Sequence, residues 1–175
     1  MKKWSIAVLG VVLAMVALTG CQSPKAMAYV NGTQISAEQY EQTIAGLNDL
    51  GQPLSPEDRG GVATNLIQFE IVRQLGADQG ITIPQTQQDA ALADQVNQAA
   101  QAGVELKGGS LDYYRQYTEA TLLIQAAGQQ EAAKALQEAT VELNPKYGAW
   151  SADEQGLMSA QSGKGSLSST DAQPR

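Results

Sequence analysis

The chain has no histidine, one cysteine and one phenylalanine in 175 residues, and each shortage removes a class of function. Without histidine there can be no Ser-His-Asp or Cys-His nucleophile and no His-ligated zinc or iron site. A calcium loop needs several closely spaced carboxylates around a glycine turn. Here the acidic residues stand singly or in isolated pairs, so no metal and no cofactor is expected. Two carboxylates could still meet in space for glycosidase chemistry, but no local pattern supports them, and the chain reads as a non-enzyme. A formal net charge of −7 argues against nucleic acid as a partner. A lone cysteine cannot close a disulfide within the chain, which leaves packing as the source of stability.

What is present begins with an address. Lys2 and Lys3 precede an uncharged apolar run over residues 6–18, which is shorter than the roughly 20 residues of a membrane-spanning helix. A basic start, a short apolar core and small residues at a cut site describe a signal peptide. The run ends in Leu18-Thr19-Gly20-Cys21, which resembles the lipobox of bacterial lipoproteins. That resemblance implies cleavage after Gly20 and diacylglyceryl modification of Cys21, which would be the membrane attachment. One acyl chain holds a protein only marginally, whereas two or more hold it for long times. Residues 1–20 are therefore read as the signal peptide, 21–28 as a lipidated tether, 29–150 as one folded domain and 151–175 as a disordered tail rich in Ser, Gly, Gln and Ala. Loss of Lys2 and Lys3 would leave 9 basic residues against 18 acidic ones.

Within the domain, Val30-Asn31-Gly32-Thr33-Gln34-Ile35 has the Asn-Gly pair that suits the positive-φ positions of a type I′ hairpin turn. Ser36 and Gln39 have capping-box spacing, and Tyr40, Ile44, Leu47 and Leu50 recur at helical intervals behind them. Ser55-Pro56-Glu57-Asp58 opens a second helix, with Val62, Leu66, Phe69, Val72 and Leu75 as its buried face, widened by Ile67 and Ile71. Gly80 ends it, and Ile81-Thr82-Ile83-Pro84 crosses to a weakly apolar third helix over 85–101. Ser110 caps a last, long helix running to about residue 140, with Gly128 as a soft spot. Residues 141–150 alternate with period two and contain Pro145, which predicts an extended segment able to pair with Tyr29 and Val30.

Taken together, Val30-Asn31-Gly32-x-x-Ile35-Ser36, the Ser-Pro-acid helix start, Ile81-Thr82-Ile83, the long final helix and Asn144-Pro145-x-Tyr147-Gly148-x-Trp150 resemble a family. They look like the N-terminal chaperone domain of SurA-like proteins, in the actinobacterial lipoprotein form that lacks the parvulin prolyl isomerase domain. The resemblance implies a mainly α fold, a helical SurA N-terminal-like domain with a small β-sheet formed by the two chain ends. It implies a crevice for unfolded or translocating polypeptide clients on the extracytoplasmic face of the bacterial cell membrane, with no turnover. Isomerase activity is out of reach, since that site uses histidines. The aromatic residues without an obvious core duty, Tyr113, Tyr114, Tyr117, Tyr147 and Trp150, are the candidate client contacts. The alternative is a structural or partner-specific envelope lipoprotein whose crevice serves one dedicated partner.

Overall fold

The computed structural model describes residues 25–51, 53–152 and 158–161. The segment expected to be the signal peptide, the lipobox-like stretch ending at Cys21 and most of the expected C-terminal tail lie outside the described residues. Among the described residues, five α-helices, a three-stranded antiparallel sheet and a separate two-stranded pair make a mainly α fold, and the three-stranded sheet joins the two ends of the domain.

The hairpin forms where Asn31-Gly32 places it. Strand β1 (Ala26–Val30) pairs with β2 (Thr33–Ser36) through Val30↔Thr33, Tyr29↔Gln34 and Ala28↔Ile35. Asn31 and Gly32 take φ of 48° and 84°, the left-handed pair that a type I′ turn requires. Asn31 also ties the turn down: its amide N–H donates to Gln74 Oε1 at 2.9 Å, and its Oδ1 accepts from the backbone N–H of Thr140 at 2.8 Å. Strand β3 (Val141–Leu143) pairs antiparallel with the other side of β1, matching Tyr29 to Glu142 and Val30 to Val141. The sheet order is thus β2-β1-β3 with β1 in the centre.

This centre corrects the N-terminal boundary. Residues 26–28 are not tether, because Ala26, Met27 and Ala28 are each 1% exposed or less. A central strand packed on helices is apolar on consecutive positions, and the register shift between Ala26 and Ala28 lets neighbouring side chains both be covered.

Helix α1 (Ala37–Asn48) starts at Ser36, whose side chain accepts from the Gln39 backbone N–H at 3.0 Å. The expected reciprocal half of the box is not made, since the Gln39 amide reaches Gln116 Oε1 on another helix at 3.1 Å. Helix α2 (Pro56–Asp78) has both halves: Ser55 Oγ accepts from the Asp58 N–H, and Asp58 Oδ2 accepts from the Ser55 N–H, each at 3.1 Å. Its buried face, with Val62, Leu66, Ile67, Ile71 and Val72, is the floor of the domain. Helix α3 (Gln85–Gln101) has the expected bounds and buries no residue fully. It leans on helix α4 (Gly109–Ala127), while Ile81 and Ile83 of the crossing before it pack with Val72, Ala120 and Leu123.

The capping of α2 carries a pH dependence. Hydrogen bonds with Ser55 hold the Asp58 carboxyl below its ordinary value, so folding favours the charged form. The resulting stability is present above the unfolded value of about pH 4 and is lost as pH falls through the lower folded value. The parent melting temperature should accordingly fall with acid below about pH 4 more steeply than that of Asp58→Asn; equal slopes in thermal melts would remove Asp58 from the acid response.

The single long last helix is two. Gly128, at φ 95°, separates α4 from helix α5 (Gln129–Glu138). That backbone is open to glycine and strained for any L side chain, so a helical pattern running through it bends away there. Ser110 is not the cap. It lies inside the first turn of α4, fully buried, accepting from the Lys107 N–H at 3.0 Å and donating to the Lys107 carbonyl at 2.8 Å. Two glycines set how closely α4 crosses α1: a Cβ on Gly46 would strike the backbone of Gly109 and Ser110, and one on Gly109 would strike the backbone of Gln42.

The C-terminal boundary is also corrected. After β3, residues Pro145–Tyr147 form a 3₁₀ turn whose N–H at Lys146 is capped by Asn144 Oδ1 at 3.0 Å, so the expected extended segment is interrupted. Strands β4 (Ala149–Ala152) and β5 (Met158–Gln161) then form an antiparallel pair. Ser151, Ala152 and 158–161 are therefore structured, where a tail was expected. Ala160 is 8% exposed and joins the main core, and its N–H donates to Thr64 Oγ1 of α2 at 2.9 Å. Gly60, one turn earlier, lies beneath the Ala160 carbonyl, which would make ordinary contact with a Cβ there at 3.4 Å.

Candidate functional site

The five aromatic candidates do not come together. Tyr147 packs edge-on against Tyr40 with ring centroids 4.9 Å apart, and both Tyr147 and Trp150 are partly buried against the main core. Among the described residues, the buried indole N–H of Trp150 has no hydrogen-bond partner. These two rings close the corner where the chain ends meet.

Tyr113, Tyr114 and Tyr117 are consecutive in space along α4. Tyr113 is partly buried, its hydroxyl oxygen accepts from the Asn65 side-chain N–H at 2.6 Å, and burial pushes its pKa up against the opposing pull of that bond. Tyr114 meets Tyr113 at 5.7 Å and Tyr117 at 6.5 Å, both edge to face. Tyr117 is 43% exposed, the one exposed large apolar side chain among the described residues. Phe69 of α2 touches this row at both ends, 5.6 Å from Tyr113 and 6.2 Å from Tyr117. Such tilted contacts contribute about 0.5–1.5 kcal/mol each beyond burial, so the row is held as a unit.

Phe69 was expected to be fully in the core, and it is only half-buried because it forms one wall of a pocket. This pocket, of about 190 Å³, lies between β2, the start of α1, α2 and α4. Ile35, Leu66, Ala120 and Leu123 make its apolar floor, and Gln34, Gln39, Gln116, Glu119 and the Glu70–Arg73 pair surround its mouth. Arg73 Nη2 lies 2.7 Å from Glu70 Oε1, and hydrogen bonds with Glu70 raise the Arg73 pKa, with a further contribution from the charge of Glu119. The Gln39–Gln116 bond crosses from α1 to α4 beside the mouth. Phe69, Gln34 and Gln39 escaped sequence reasoning as pocket residues. A helical stripe does not reveal that one of its members lacks a neighbour on the far side.

A second hollow of about 210 Å³ between the hairpin turn, α2 and α5 is lined by Asn31, Gln74, Asp78 and Glu138 among others. Part of its rim is taken up by the Asn31–Gln74 bond and by the Gln74 amide, which also donates to the Val30 carbonyl at 3.1 Å. Among the described residues no group of three or more His, Cys, Asp or Glu side chains could hold a metal ion, and no helix is long and apolar enough to cross a membrane. The 190 Å³ pocket is smaller than the roughly 300–1,000 Å³ of small-molecule sites, and is of a size for a side chain. No protein-family model, curated protein or solved structure matches the chain.

Proposed function

We propose that this is a lipid-anchored, extracytoplasmic, chaperone-like protein that binds unfolded or translocating polypeptide segments without isomerase activity. The observation that carries the reading is the continuity of the pocket, through Phe69, with the aromatic row that ends at exposed Tyr117. Apolar rings on a rigid helix beside a pocket for one side chain suit contact with exposed apolar stretches, at about 25 cal/mol per Å² buried less the cost of ordering. The resemblance to SurA-like domains and the lipobox at Cys21 point the same way. The second reading, a docking protein for one envelope partner, is favoured by the polar, partly charged rim around the pocket, since such groups select more than they attract.

Aggregation of several unrelated reduced or denatured proteins should slow in the presence of the chain. Tyr117→Ala should weaken client binding about fivefold, the equivalent of ~1 kcal/mol. Cys21→Ala should release the protein from membranes on fractionation. Failure to slow any client, together with capture of one stoichiometric partner by crosslinking, would replace the first reading by the second; membrane retention unchanged by Cys21→Ala would sink the anchor.

A further inference from the structure

Strand β2 is an edge of the sheet, and its outer side borders the pocket. In a two-residue hairpin the Val30↔Thr33 pair exchanges its hydrogen bonds inwards, so the N–H and C=O of the next residue, Gln34, point away from β1. Gln34 and Ile35 are also the β2 residues at the pocket. Among the described residues this donor and acceptor have no partner, and they stand beside an apolar hole, the arrangement by which a sheet edge accepts a further extended chain: main-chain bonds supply affinity and alternate side chains supply choice. Across the groove stand Gln116 and Glu119 of α4. Arg73 is already neutralised by its bidentate contact with Glu70, at 2.9 and 2.7 Å, which leaves Glu119 to set the sign of the rim. The chain as a whole carries net −7.

We propose that the groove between β2 and α4 binds an extended segment of another polypeptide by strand addition, with one apolar side chain in the pocket and a basic residue two positions away facing Glu119. This rests on the client-binding reading and specifies it: the preferred client is a basic, β-forming stretch. The spacing follows from the strand period of two, which puts residues i and i+2 on the same face.

The test is fluorescence anisotropy of the full chain with the labelled peptide Gly-Lys-Thr-Leu-Thr-Lys-Gly. Three comparisons bear on it: the same peptide with both lysines replaced by aspartate, the peptide N-methylated at leucine and both threonines, and the Glu119→Lys and Gln34→Pro variants. Expected are at least tenfold weaker binding of the aspartate and N-methylated peptides, tenfold loss for Gln34→Pro, and reversal of the lysine-over-aspartate preference in Glu119→Lys. Proline is compatible with edge strands and removes the donor. Should Gln34→Pro not fold, the rim variant Glu119→Lys, at a half-buried position, and the N-methylated peptide still decide. Equal affinity for the lysine and aspartate peptides, or for the N-methylated one, overturns the proposal. So does a concentration-dependent dimer in sedimentation that Gln34→Pro abolishes, which would give the edge to a second copy of the chain. If unrelated clients are protected from aggregation while the peptide does not bind, strand addition falls and the client-binding reading stands; if neither occurs, both fall.

Discussion

Replacing Gly46 with alanine is expected to cost about 3 kcal/mol of folding stability, among the largest effects of any single methyl group in this chain. The added Cβ would meet the backbone of Ser110 and Gly109, and backbone cannot turn aside as a side chain can. Relief requires α1 and α4 to separate along their length, which would open the packing around Tyr40 and Ile44 and pull on the buried Ser110 turn. A domain of this size should lose roughly 10 °C in melting temperature. Gly61→Ala is the control with the opposite sign: that position lies in α2, and a Cβ there meets nothing within 4 Å. Alanine should stabilise it by about 0.5–1 kcal/mol. Thermal melts in which Gly46→Ala and Gly61→Ala behaved alike would show that α1 and α4 do not cross this closely.

Met27→Ala is expected to cost about 2–5 kcal/mol, the range for emptying a closed core site. Met27 is fully buried, and its carbonyl accepts from the Asn144 N–H at 2.9 Å, so the strand around it is pinned and collapses poorly into the gap. Met27→Leu, which keeps the volume, should cost less than about 1.5 kcal/mol. Urea titrations of the two variants would separate a core residue from a linker residue: in a linker both would match the parent.

That Met27 belongs to the core illustrates what local pattern hides. The type I′ turn at Asn31-Gly32, the caps at Ser36 and Ser55 and the bounds of α3 were legible because each is dictated by residues next to one another in the chain, and the pairing of β3 with Tyr29 and Val30, though long-range, was legible because an alternating segment stands at each end of the domain. The start of β1 was not. Ala26, Met27 and Ala28 show no alternation, since helices and a bulge cover them on consecutive positions. Strand β5 was hidden for a related reason: small residues such as Ser159 and Ala160 look like a solvated tail until Gly60 and Thr64 of α2 provide a seat for them. Gly128 was visible as a weak point, yet only its left-handed backbone decides between a bend and an end. Of the candidate site, an outward-facing ring could be anticipated, because Tyr113, Tyr114 and Tyr117 cover too wide an arc of one helix, but only the structure shows that it is Tyr117. The pocket beside it could not, because it is made by four elements and owned by none.

The position of β1 bears on how the molecule carries force. If Cys21 is the anchor, only four residues separate it from Ala26, a reach of roughly 15 Å. Drag on a bound client would then load the domain at the leading end of its central strand. A pull along β1 acts on the ladders to β2 and β3 in parallel, so their hydrogen bonds share the load in shear. Had the tethered strand been at the edge, a sideways pull could peel it off one bond at a time. Such a mooring line would be fastened to the part of the sheet that is hardest to unzip.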